Sequence, residues 1–140
     1  MNPSGALAAE DRVTRFIHHP RDLGPNQSPK PAVFEPGPDG AVSVAQITDL
    51  DETAIWRLAR HTLNIAAGRK RVVGRADLQV AAIASQGLAC IRNDIGFQHH
   101  SEIVGWPNDS DLDSRKRKRR EIARRLCEAA SGVAARPQIE

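Results

Sequence analysis

Two histidine dipeptides hold the side chains best suited to proton transfer near neutral pH: His18-His19 and His99-His100. Imidazole titrates close to that range, so one histidine from each pair facing a common cleft could act as general base and general acid. With Arg15 or Arg92 stabilising a pentacovalent phosphate, the set would make a metal-independent ribonuclease or phosphodiesterase. Glu102 shares a strand face with His100 and could orient it, and Ser101 shares a face with His99. Neighbouring residues of a strand point to opposite faces, so each dipeptide can supply at most one histidine to such a site. The plainer arrangement is a set of strand-end histidines hydrogen-bonded to loops.

A second chemistry is electrostatic. Arg115, Lys116, Arg117, Lys118, Arg119 and Arg120 are consecutive, and Arg124 and Arg125 follow one turn later. On a helix, Arg117, Arg120 and Arg124 share one side, and Arg115 and Arg119 share another. Adjacent cations repel one another, and surface pairing offsets little of that. A polyanion would relieve the repulsion and release counterions. Arg69, Lys70 and Arg71 form a second basic cluster, completed by Arg75, that could extend the footprint. The bland alternative is a solvated face that keeps the protein soluble, and a third is a docking helix for an acidic protein. In a eukaryotic chain the run would also serve as a nuclear import signal. With three Phe and no Tyr, recognition by base stacking is disfavoured, so contact would fall on phosphates with weak sequence preference.

The charge distribution sharpens this. The chain has 140 residues and a net charge of +3. Residues 115–125 hold eight basic residues and one acid, while the remaining 12 basic and 16 acidic residues leave the body at −4. Such asymmetry points to an anionic partner more than a modest overall pI does. Metal chemistry is disfavoured: histidines and cysteines are present, but no C-x-x-C, H-x-x-x-H or H-E-x-x-H spacing occurs. No Walker loop, G-x-G-x-x-G or G-x-S-x-G motif is present either, so no metal or cofactor is expected. No apolar run nears the ~20 residues of a membrane helix, and the first residues lack a signal-peptide pattern. A non-membrane, cytoplasmic protein with Cys90 and Cys127 reduced in apolar surroundings is expected.

The elements that must position these residues read as one α+β domain. Its small, mainly antiparallel sheet has about four strands, near 12–19, 41–47, 88–92 and 99–104. The last two are expected to be antiparallel neighbours, since their connection is short. Three helices are expected near 49–66, 76–86 and 111–131. The first has Asp49 as N-cap with Glu52 in a capping box, and a buried stripe through Ile55, Leu58 and Ala59. The second rests on Ala, Leu and Gln, which favour helix, with Gly87 at its end. The third starts at Ser110 or Asp111, stops at Gly132, and has an apolar stripe of Leu112, Ile122, Ala123, Leu126, Ala129, Ala130 and Val133. Arg115 and Arg119 interrupt that stripe, so its first turns either project past the body or meet acids. Residues 1–10 are expected to be mobile, 11–133 to form the domain, and 134–140 to be a tail. Six of nine prolines lie within 20–40, a wrapping loop that Val33 and Phe34 could anchor to the core. Trp106, in a Gly-Trp-Pro corner, is expected to cover the core edge.

The first functional reading is therefore a small binding module whose basic helix engages nucleic acid or another polyanion. The alternatives are the two-histidine nuclease and a protein–protein module of the antitoxin, immunity or regulatory-subunit type.

Overall fold

The computed structural model describes residues 5–24, 28–37, 40–66, 72–93 and 99–134, with backbone alone for 61–66 and 134. Six strands form one antiparallel sheet: β1 (Arg12–Ile17), β2 (Val42–Gln46), β3 (Gly74–Gln79), β4 (Ala89–Arg92), β5 (His100–Val104) and β6 (Ser131–Ala134). Their spatial order is β4-β5-β2-β1-β3-β6. The helices are α1 (Glu52–Ala66), α2 (Val80–Ala84) and α3 (Leu112–Ala129), with short 3-10 helices at Pro20–Asp22 and Pro31–Phe34.

Four of the six strands follow the expected segments, and β4 pairs with β5 as expected, Cys90 opposite Ile103. The other two correct the four-strand reading. Residues 76–79, expected to be helical, belong to β3, which pairs with β1 from Arg12–Gln79 through Ile17–Gly74. Helix α2 is confined to Val80–Ala84, and Gly87 (φ +78°) takes the expected left-handed turn after it. Gly74 to Gln79 alternates polar and apolar residues, a period of two that Ala and Leu propensity obscured. The tertiary context decided it: β1 needed a partner on this side, and backbone pairing outweighs a propensity difference of tenths of a kcal/mol per residue. Helix α3 ends at Ala129, so Val133 lies in β6, opposite Arg75, and not on the helix stripe. For α1, the side chain that caps the first turn belongs to Asp51, whose Oδ1 accepts from Ala54 N at 2.8 Å; Asp49 does not fill that role.

Alternation sorts the sheet into two faces. One presents Val13, Ile17, Val42, Val44, Ala76, Leu78, Cys90 and Ile103, which form a single buried cluster with Val80 and Ile83 of α2 and Ala123 and Leu126 of α3. Val33 and Phe34 enter the same cluster, so the middle of the Pro-rich segment is part of the core. Trp106 is buried at the rim and donates from Nε1 to the Ile103 carbonyl at 3.0 Å. The opposite face carries Thr14, Ala45, Arg75, Asp77 and His100, and α1 meets it at Arg75 through Glu52 and Trp56, with Ile55, Leu58 and Ala59 buried on the helix. Residues 5–7 run along β4, with Leu7 N donating to Cys90 O and Arg92 N to Gly5 O, each at 2.9 Å. That pairing covers an edge whose backbone groups would otherwise invite another strand.

Neither cysteine is in a disulfide. Burial pushes the Cys90 thiol up to about 12, with the charge of Asp11 adding to the shift. Burial also raises Cys127, whose Sγ donates to the Pro29 carbonyl. The unfolded Cys90 thiol ionises near 9.0 and the folded one near 12. Its contribution to stability is therefore full below pH 9 and lost as pH rises towards 12. Unfolding titrations across this range should show a steeper loss for the parent than for Cys90→Ala. In the native protein at pH 8, thiol reagents should modify Cys127 well before Cys90. Equal reaction rates would contradict the burial of Cys90.

Candidate functional site

Helix α3 positions the basic run. Asp111 is its N-cap, accepting from Ser114 N at 2.8 Å, and Asp113 adds negative charge in the first turn, where the helix dipole favours it. Ala123 and Leu126 are fully buried and hold one side of the helix to the sheet. The opposite side faces solvent.

The inward turns of α3 solve their problem without acids. Arg115 donates from Nη1 to the Asp109 carbonyl at 3.1 Å, and Arg119 from Nε to the Pro107 carbonyl at 2.8 Å. Both are half-buried against the strand-to-helix connection, whose open carbonyls they satisfy. These two members of the expected polyanion set are thus turned towards the body. Lys118 bonds Asp109 at 2.6 Å, and its bond together with that of Ser114 holds the Asp109 carboxyl below the usual range. Arg124 is pinned by Glu121 and Glu128 and is raised above its ordinary value, chiefly by Glu121. Arg125 reaches Glu121 at 3.4 Å. Arg120 lies 3.6 Å from Glu35 and stays largely exposed. Lys116 and Arg117 are exposed and make no ion pair or hydrogen bond among the described residues. With Asp113, Arg120 and Glu121 they line a shallow depression on the outer face. Arg69, Lys70 and Arg71 lie outside the described residues.

The histidines are dispersed. His18 and His19 follow the end of β1, and His19 is exposed just before the 3-10 helix Pro20–Asp22. His99 takes a left-handed conformation (φ +66°) before β5. His100 is buried in β5, opposite Ala45, which in turn lies opposite Thr14. His18 is four residues along from Thr14 and two strands from His100, a Cα separation on the order of 16 Å at ordinary strand spacing. His18 and His100 are therefore too far apart to share one proton-transfer site. Arg15 is on the other face, donating from Nε to Val33 O at 3.2 Å and from Nη1 to Ser43 O at 2.8 Å. Burial holds its pKa below the ordinary value. The paired residues of β1 and β2 are Val13–Gln46 and Thr14–Ala45, and beyond them Arg15 supplies Ser43 with a donor. Glu102 shares the face of His100, as expected, and accepts from Asn93 Nδ2 at 2.5 Å. Ser101 Oγ is buried on the core face.

Two arrangements have no counterpart in the sequence reading. Arg75, 2 % exposed, is clamped between Asp77 (Nε to Oδ1, 2.9 Å) and Glu52 of α1 (Nη2 to Oε1, 2.5 Å). The Trp56 ring lies over its guanidinium at 4.8 Å, and Trp56 Nε1 donates to the same Glu52. Burial alone would lower the Arg75 pKa; the hydrogen bonds with Glu52 and Asp77 outweigh it and raise the value. The second is Ser43 Oγ, 2.7 Å from His100 Nε2 on the adjacent strand. Among the described residues no three His, Cys, Asp or Glu side chains gather as metal ligands, and no helix is long and apolar enough to cross a membrane. No family model matches this chain, and neither the curated proteins nor the solved structures include a match.

Proposed function

We propose that this protein is a binding module for a phosphate polyanion, nucleic acid above all, engaged through the outer face of α3. The observation that carries the reading is the pair of exposed cations Lys116 and Arg117, without a partner among the described residues, beside the loosely paired Arg120. They sit on a helix anchored from its other side by Ala123 and Leu126, so the charges are presented on a rigid support. Ion pairs such as Arg124 with Glu121 are exposed and weak, and phosphate oxygens can compete for those cations. Arg115 and Arg119 serve the connection before the helix and are not part of this face.

Fluorescence anisotropy with labelled DNA and RNA, single- and double-stranded, between 50 and 200 mM salt tests the proposal. Three phosphate contacts predict a slope of log K against log salt of roughly −2 to −3. The Lys116→Ala, Arg117→Ala, Arg120→Ala triple variant should lose most of that slope, each contact being worth about one unit. The variant should unfold like the parent, because all three side chains are exposed. Absence of binding at the lowest salt, or binding unchanged in the triple variant, would overturn the reading.

A further inference from the structure

Independently of the basic helix, the geometry points to Ser43 as a nucleophile, with His100 as its general base, acting on uncharged acyl esters. In the tautomer with hydrogen on Nδ1, the Ser43 hydroxyl donates to His100 Nε2 across 2.7 Å, which is the separation an activated serine needs. The two residues are diagonal neighbours on β2 and β5, where the register pairs Ser43 with Glu102 and Ala45 with His100. Sheet pairing fixes both backbones, so the contact is held by rigid elements. Their exposures also differ: Ser43 is partly exposed, whereas His100 is 9 % exposed and so shielded from bulk water.

The surroundings select the substrate class. Glu102 lies directly across from Ser43, and Asn93 holds its carboxylate in place. A negative charge so close disfavours an anionic phosphodiester and tolerates a neutral ester. Half-buried Ile91 stands opposite Glu102 on the other side, and half-buried Phe16 lies on the same face in β1, so apolar surface is available for an acyl chain.

The chemistry balances without a cofactor. The Ser43 Oγ–carbon bond forms as the ester carbon–oxygen bond breaks. The hydroxyl proton passes to His100 Nε2 and then to the departing alkoxide. Water then attacks the acyl-serine, gives a proton to Nε2, and releases the carboxylic acid while Oγ recovers its proton.

The full chain should be treated with an uncharged fluorophosphonate, and the adduct mapped by peptide mass spectrometry. One adduct per chain, on Ser43, is expected. It should be absent in Ser43→Ala and form about 100-fold or more slowly in His100→Ala, the usual contribution of a general base. Hydrolysis of p-nitrophenyl butyrate should fall in parallel. Circular dichroism melts identify a variant that has failed to fold, and the mapping on the parent stands without either variant. No adduct on the parent, an adduct on another residue, or unchanged labelling in folded His100→Ala would overturn the assignment. Glu102→Gln should raise the rate on an anionic ester, p-nitrophenyl hemisuccinate, several-fold relative to the butyrate. An unchanged ratio would remove the assigned preference for uncharged esters.

Discussion

Arg75→Met is expected to lower the unfolding free energy by about 3–5 kcal/mol, the usual cost of removing one partner from a buried ion pair. The loss comes less from the attraction removed than from what stays behind. Asp77 is 8 % exposed, and without Arg75 the ion pair left to it among the described residues is with Arg12, 3.5 Å away and half exposed. Trp56 would also lose the cation beneath its ring. Glu52 contributes less, because its side chain is 66 % exposed and water can take over its solvation. Glu52→Gln should therefore cost no more than about 1 kcal/mol. Arg75→Lys should behave more like Met than like the parent, since an ammonium cannot reach Asp77 and Glu52 with a planar fork. The Arg75→Met, Asp77→Leu pair should recover much of the loss, as apolar replacements of buried pairs commonly do. Urea denaturation followed by tryptophan fluorescence reads all four variants. A single Arg75→Met variant within 1 kcal/mol of the parent would show that the clamp adds nothing net.

Phe34→Ala should cost a similar amount, about 3–5 kcal/mol, the range for deleting a buried aromatic ring. Phe34 is fully buried although it belongs to a segment with six prolines in about twenty residues. The 3-10 helix Pro31–Phe34 turns Val33 and Phe34 together into the cluster beneath α3. Its prolines fix φ, so little chain entropy remains to be lost when the segment docks. Ala32, exposed in the same helix, is the control: Ala32→Ser should change stability by less than about 0.5 kcal/mol. If Phe34→Ala unfolds at the parent's urea midpoint, the Pro-rich segment is a strap lying on the protein and not a layer of its core.

The basic run shows how far local reading reaches. Its helix, its Asp111 cap and the buried positions Ala123 and Leu126 follow from spacing and capping chemistry. The roles of its cations do not. Arg115 and Arg119 bond main-chain carbonyls brought near by the turn at Trp106-Pro107, and Arg120 meets Glu35 from a segment about eighty-five residues away in sequence. The Ser43–His100 contact was equally hidden, because pairing β2 with β5 joins residues 57 positions apart. His100 carries a conspicuous residue type, whereas its partner is an ordinary strand serine.

Sequence alone determined the local elements whose signals are self-contained: β1, β2, β4 and β5 from apolar runs and alternation, α1 and α3 from helical periodicity, and the charge asymmetry of α3. Tertiary structure alone decided where residues 74–79 and 131–134 belong. Alternating Arg75 and Asp77 can be buried in a strand only because Glu52 and Trp56 arrive from α1 to complete the ion pairing. Residues 131–134 become a strand because β3 offers an unpaired edge once α3 has delivered the chain beside it. Short-range propensities differ by tenths of a kcal/mol per residue. A backbone ladder and a satisfied buried charge are worth several, and both require partners distant in sequence.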